Sequence, residues 1–255
     1  MQAGCGVFAR FVLYSPHGGF FRPTHAKGGA ALNKPYALFD FDGTLIPGDS
    51  IVRFCRFARE NGFAHAGALL RGAYWAARYY ARTATAERAK GEALSFLAGR
   101  SVAEVSALSE AFCQKILVPL LRREGVDELK GLADRGLSVL LVTASPEFYL
   151  TPLLRRLPLE AIIGTRMHVD ENGLYTGRLA GENCRGVQKP LRLAEYLAAR
   201  GETLDYNASV AFGDSAGDAP MLGLCARKVA VNPRRGLLRR LKNEQGVTVA
   251  RWRNE

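Results

Sequence analysis

Acidic residues are missing from the first 34 positions of this 255-residue chain. That stretch is rich in glycine and small residues, carries HGG and KGG, and shows no sustained periodicity. Residues 1–34 therefore read as a flexible tail ahead of the folded protein, as a translation start placed upstream would leave. The acid-free, arginine-containing character is shared with transit peptides, but the apolar stretch FARFVLY is too short for a secretory signal. Long hydrophobic runs are missing too. The longest fall far short of the roughly 20 residues a membrane span needs, so no span is expected. Cysteine is scarce and scattered: Cys5, Cys55, Cys113, Cys184 and Cys225 form no C-x-x-C pair and leave an odd total. This excludes a disulfide scaffold and a zinc ribbon, and fits reduced thiols in a cytoplasmic protein. The four histidines (His17, His25, His65, His168) lack ligand spacing as well.

Acids are outnumbered overall, with 24 Asp and Glu against 35 Lys and Arg for a net charge of +11. Such a surplus can mark a nucleic-acid binder. Here the arginines are spread over helical segments, densest in RRGLLRRLK (residues 234–242), and no nucleic-acid motif accompanies them. Solvated helix faces account for them, and no specific nucleic-acid partner is expected.

What is present is an alternation of strands and helices. At 48% hydrophobic and 23% charged residues the composition is that of a globular protein. YALFDFDGTL, residues 36–45, starts as a buried strand and ends on Asp40 and Asp42. Asp49 or Ser50 can cap a helix that Gly62 stops. Helical periodicity then runs through HAGALLRGAYWAARYYAR and AERAKGEALSFLAG. Ser101 and Glu104 make a capping box for SVAEVSALSEAFCQKILVPLLRR. No strand signal falls between about Ile46 and Leu132. The second strand is LSVLLVTAS (137–145). A helix from Pro146, a strand near Ala161–Gly164, a hairpin turning at DENG (170–173) and a helix over about 187–200 follow, then strands at ASVAFG (208–213), KVAV and VTVA. Strands separated by helices predict an α/β fold: a doubly wound, Rossmann-like parallel sheet with a helical cap inserted after the first strand. The expected division is a core of residues 35–46 and 133–255 and a cap of residues 47–132.

Ligands of such sheets sit at the carboxyl ends of the strands, which is where the polar residues fall. Asp40 and Asp42 are two apart on a strand and face one way. Asp214 follows another strand in GDSAGDAPM, and Asp218 lies one helical turn on. Four converging carboxylates need a counter-ion, and an oxygen-only donor set suits Mg²⁺ with a phosphate. Asp40 is then a candidate nucleophile, since carboxylates form aspartyl-phosphates. Thr143 offers a hydroxyl to a phosphoryl oxygen, and Lys189 a fixed positive charge.

DFDGT, the strand-end Thr143, Lys189 and GDSAGD, in that order, resemble the four motifs of the haloacid dehalogenase superfamily. The match runs from about Tyr36 to the C-terminus, and the helical insert resembles the cap of the phosphoserine-phosphatase-like subfamily. The resemblance implies a Mg²⁺-dependent phosphomonoesterase acting on a small phosphate ester. Asp40 would attack phosphorus, and Asp42 would protonate the leaving oxygen and then activate water. Thr143, with Ser145 beside it, would bind the phosphoryl group, and Lys189 would steady its charge. Asp214 and Asp218 would hold the metal with Asp40 and the Asp42 backbone carbonyl. The dehalogenases that name the superfamily lack the second acid, so Asp42 favours phosphate esters.

Asp49 is most simply an N-cap, although the resemblance also implies contact with a substrate ammonium. Phosphoserine phosphatases carry a cap arginine where Ala93 stands here, with Arg88 and Lys90 the nearest cations, and TASPE replaces their SGG. Phosphoserine is therefore not implied as substrate. On the second cap helix Arg71, Arg78 and Arg82 share one face, which is either a solvated stripe or a leaving-group contact. A phosphotransferase using the same aspartyl-phosphate fits the same residues and is separated from a hydrolase only by its products, whereas intact Asp40, Asp42, Lys189 and Asp214 argue against a basic nucleic-acid-binding protein with a vestigial site.

Overall fold

The computed structural model describes residues 31–253, so the expected tail lies largely outside the described residues. Its last three positions do not behave as a tail: Leu32–Lys34 forms β1. Pro35 separates it from β2 (Tyr36–Phe39). The helical segment follows as α1 (Ser50–Glu60), α2 (Ala66–Tyr80), α3 (Ala86–Leu94) and α4 (Val102–Phe112). A π-helical turn at Cys113–Leu117 leads into α5 (Val118–Leu120). The helix expected to run on past residue 121 breaks there, and α6 (Arg123–Asp134) begins anew. β3 (Ser138–Pro146), α7 (Glu147–Leu150), β4 (Ala161–Thr165) and the hairpin β5 (Met167–Val169) and β6 (Tyr175–Leu179) come next. The chain closes with α8 (Gln188–Ala199), β7 (Glu202–Leu204), β8 (Val210–Gly213), α9 (Ala219–Leu222), β9 (Arg227–Val231), α10 (Arg235–Leu241) and β10 (Val247–Ala250).

Six strands form one sheet in the order β10-β9-β8-β2-β3-β4, and every pairing in it is parallel. The fold class is the one the alternating pattern predicts. The chain winds outward in both directions from β2 and β8, so the topological switch point lies between these two strands.

Side-chain alternation explains why the central strands are apolar throughout. Ala37, Phe39, Val139, Leu141, Val210 and Phe212 pack on one face of the sheet. Tyr36, Leu38, Leu140, Val142 and Ala211 pack on the other. Both faces are covered, as parallel sheets require. α6 lies at the end of the segment expected as a cap, and its Leu129 and Leu132 sit in a cluster that holds sheet residues such as Ala37 and Phe39 together with helical-segment residues such as Phe54 and Leu97.

β1 pairs in parallel with β7, Leu32 opposite Glu202. Both strands are short, and Leu32 is 60% exposed, so no alternation advertised them. The DENG hairpin is as expected: the Asp170 carboxylate accepts from the amides of Asn172 and Leu174, and Gly173 takes the positive φ. Its outer edge bonds to the link between α3 and α4. The amides of Gly99 and Val102 donate to the carbonyls of Tyr175 and Gly173, and the Tyr175 amide donates to Arg100.

The ring of Phe212 stacks on Phe39 with centroids 4.1 Å apart, and Trp252 covers its other side at 5.9 Å. Phe212→Ala is expected to cost about 3–5 kcal/mol. Urea unfolding should show a lower midpoint at unchanged slope.

Candidate active site

Asp40 leaves β2 with its amide donating to the carbonyl of Phe212, so β2 and β8 deliver their following residues to one point. The chain then turns sharply: the Gly43 amide reaches Ile46 O at 2.9 Å and the Leu45 amide reaches Phe41 O at 2.9 Å. Gly43 has φ +86°, and a Cβ there would lie 2.3 Å from Oδ2 of Asp214. Gly213 is held to glycine similarly, since its Cβ would sit 2.5 Å from Cβ of Asp218. Arg122 braces the turn from below, its guanidinium donating to Gly43 O at 2.5 Å and Thr44 O at 2.8 Å.

Asp40, Asp214 and Asp218 are all buried, with one oxygen from each within 4.8 Å of the others. Lys189, at the start of α8, donates to Asp40 at 2.6 Å and to Asp218 at 2.6 Å. The amide and hydroxyl of Ser215 also donate to Asp218. Nε of Arg234 pairs with Asp214 at 2.8 Å. Thr44 donates weakly to the other oxygen of Asp40 at 3.3 Å.

Asp42 stands outside this cluster, although its side chain was expected to converge there. Its carboxylate accepts from the Ser50 amide at 2.9 Å, from the Ser50 hydroxyl at 3.0 Å, and from Ser145. Ser50 in turn reaches Tyr149 at 2.8 Å. Ser145 is thus spent on Asp42. Thr143 is buried, accepts from the Ser145 amide at 3.1 Å, and faces the cavity described below. Asp49 caps α1 by accepting from the Ile51 amide at 2.9 Å, and it lines that cavity as well.

The titration behaviour follows the crowding. Burial, then the charge of Asp218, pushes Asp40 well above the usual carboxylate range. Burial, then Asp218, raises Asp214 to about 6. Burial, then Asp49, raises Asp42 to about 6, opposed by bonds from Ser145 and Ser50. Burial also pushes Asp218 up, but the Lys189 charge and the bonds from Lys189 and Ser215 outweigh it and hold it below its ordinary value. Lys189 stays charged: its two carboxylates overcome its burial. Such a set of oxygen donors, short of positive charge, can hold a hard divalent cation.

The strand ends open into a cavity of about 1030 Å³ roofed by α1, α2 and α3. Asp40, Asp42, Thr143, Lys189 and Asp218 lie at its floor, and Ala93 is in its wall. The arginine stripe of α2 does not line it. α2 ends at Tyr80, leaving Arg82 in the following turn with φ 60°. Arg71 pairs with Glu92, and Arg78 lies over the rings of Tyr74 and Trp75. The residues of α2 turned inward are the small Gly72, Ala73 and Ala76, followed at its end by Tyr79 and Tyr80. A Cβ on Gly72 would come within 3.3 Å of the Ala93 backbone, which shows how closely α2 packs on α3.

Several contacts escaped sequence reasoning. Lys90 extends from α3 to the core, donating to Ala144 O and to Asn183 Oδ1 at 2.6 Å. Burial pulls its amine down to about 8. Arg185 bonds the hydroxyl of Tyr79. Ser50, legible only as an alternative helix cap, bonds Asp42 instead, and Tyr149 behind it carried no local signal. Arg234 could have been noticed, since it follows β9 at the same sheet end.

The chain matches the model of the haloacid dehalogenase-like hydrolases over residues 37–223. It is 35% identical over 224 residues to phosphoserine phosphatase SerB1 of Mycobacterium tuberculosis, covering 85% of this chain and 70% of that protein. It is 28% identical over 202 residues to a histidinol-phosphatase of Neisseria meningitidis, covering 78% and 91%. A crystal structure of a protein of unknown function from Bordetella pertussis superposes with a TM-score of 0.77 at 31% identity, covering 86% and 98%. The chain belongs to the haloacid dehalogenase-like hydrolase family.

Proposed function

We propose that this protein hydrolyses phosphate monoesters through an aspartyl-phosphate on Asp40. The observation that carries this is the separation of two carboxylate environments at one sheet end. Asp40 sits against the Lys189 ammonium beside Asp214 and Asp218, where a bound cation would favour its ionised form, while Asp42 sits among the hydroxyls of Ser50 and Ser145. Paired acids whose surroundings drive them to different tasks suit nucleophile and general acid.

An oxygen of Asp40 attacks phosphorus, and the bond to the ester oxygen breaks. Asp42, part-protonated with a value of about 6, gives its proton to that oxygen, so an alcohol leaves. The resulting carboxylate of Asp42 takes a proton from water, which attacks phosphorus and returns Asp40 and inorganic phosphate. Lys189 and the hydroxyl of Thr143 hold the equatorial oxygens, whose spread charge calls for positioning and cations. Ser50, Ser145 and Tyr149 keep Asp42 aimed. The phosphatase names among the relatives support the ester class. The buried trio fits Mg²⁺, held by Asp40, Asp214 and Asp218, which when bound would neutralise charge on the phosphoryl oxygens.

Asp40→Asn is expected to lower kcat for an aryl phosphate by at least about 10³-fold while far-UV circular dichroism stays unchanged. Turnover near wild type would refute the mechanism.

The cluster also dictates a pH signature. Asp214, raised from 3.8 to about 6, binds its proton more tightly when folded. Its stabilising share is complete below 3.8 and is lost as pH rises through about 6. Asp40 and Asp42 act with the same sign. Asp218 has the opposite sign, but acts below its ordinary value of 3.8. In chelator, the melting temperature should therefore fall as pH is raised from about 5 to about 7.5. Mg²⁺ should raise the melting temperature at the upper end and flatten the slope. Asp214→Ala should lose the Mg²⁺ response; an equal response in that variant would place the cation elsewhere.

A further inference from the structure

The cavity above the acids is larger than a serine-sized leaving group needs. Its volume of about 1030 Å³ lies at the top of the roughly 300–1,000 Å³ range of pockets that enclose drug-sized ligands. On the cap side its wall includes Ile51, Val52, Ala76, Tyr79, Ala89 and Ala93. The alanines make the room: any larger side chain there would fill it from α2 and α3.

The cations of the wall other than Arg59 are already engaged. Lys90 is bonded to Ala144 and Asn183, Arg185 to Tyr79, and Arg56 to Glu60. Lys189 and Arg234 are committed to the acid cluster. Arg59, which also lines the cavity, is exposed on α1. Away from that exposed arginine, a leaving group bearing a carboxylate would have to break one of these bonds to be gripped inside. An apolar one meets the alanines, Ile51 and the rings of Tyr79 and Tyr80 with nothing to displace but water.

We infer that the preferred substrates are phosphate monoesters of alcohols with a bulky apolar body, roughly six carbons or more. The phosphate lies on the strand ends and the apolar body lies under α2 and α3. This rests on the hydrolase activity proposed above and names its substrate class.

A series of n-alkyl phosphates tests it, because the basicity of the leaving alkoxide hardly changes along the series while the buried area grows. From ethyl through butyl to hexyl phosphate, kcat/KM is expected to rise by up to about fourfold per methylene, equivalent to about 0.8 kcal/mol each. Hexyl phosphate should exceed O-phosphoserine by at least about tenfold in kcat/KM, a margin of about 1.4 kcal/mol. Ala76→Phe, checked for folding by circular dichroism and thermal melting, should cut the hexyl-to-ethyl ratio at least about tenfold, as two or more methylenes lose their place. A flat series, or a preference for phosphoserine, would overturn the inference while leaving the hydrolase standing, provided an aryl phosphate is turned over. Failure to hydrolyse any ester, the aryl phosphate included, would remove both. The wild-type series decides the question even if Ala76→Phe fails to fold.

Discussion

One ammonium group holds two buried carboxylates apart from a third. Lys189 lies between Asp40 and Asp218 at 2.6 Å from each, while Asp214 leans on Arg234. Buried charges of one sign are tolerated only when paired and hydrogen-bonded, and much of the surrounding chain exists to meet that condition. Gly43 and Gly213 have no side chain because any Cβ would strike the carboxylates. Arg122 is drawn into the interior to hold the turn that lets Gly43 approach Asp214. Ser215 spends both its amide and its hydroxyl on Asp218. Even so the positive charge does not match the negative, and Asp40 and Asp214 keep an elevated proton affinity.

The second acid depends on the apolar core. Asp42 is held by Ser50 and Ser145, and Ser50 is held by Tyr149. Tyr149 belongs to an aromatic cluster with Phe54, Phe112 and Phe148, the ring of Phe54 lying 5.0 Å away. That cluster joins α1 and α4 of the helical segment to α7, which follows β3. Packing between the two parts therefore sets the position of a hydroxyl network that touches the reacting end of the sheet.

How much of this could be read in advance depended on whether the signal was local. Asp40 and Asp214 directly follow β2 and β8, whose apolar residues alternate between two faces, so their position followed from the pattern; Thr143 lies inside β3, which runs on to Pro146. The capping pair Ser101 and Glu104 and the turn at Gly173 were legible for the same reason, and both form. Lys90 and Arg122 were not: each sits in a charged stretch that resembles any solvated helix, and only tertiary placement buries it. The arginines of α2 show the limit of periodicity. Spacing tells which residues share a face, but that helix has a weak apolar side, and the choice of inward face came from the close approach of Gly72 to Ala93. β1 and β7, three residues each, were too short to alternate visibly.

The hairpin β5–β6 bears on how the molecule can give. Its backbone bonds to residues 99–102 stitch the link between α3 and α4 to the sheet side of the protein. On its α2–α3 side the cavity is closed by side-chain bonds instead: Lys90 holds Ala144 and Asn183, and Tyr79 holds Arg185. Access from that side therefore turns on two polar side-chain ties, while the backbone beyond α3 stays fastened to the hairpin.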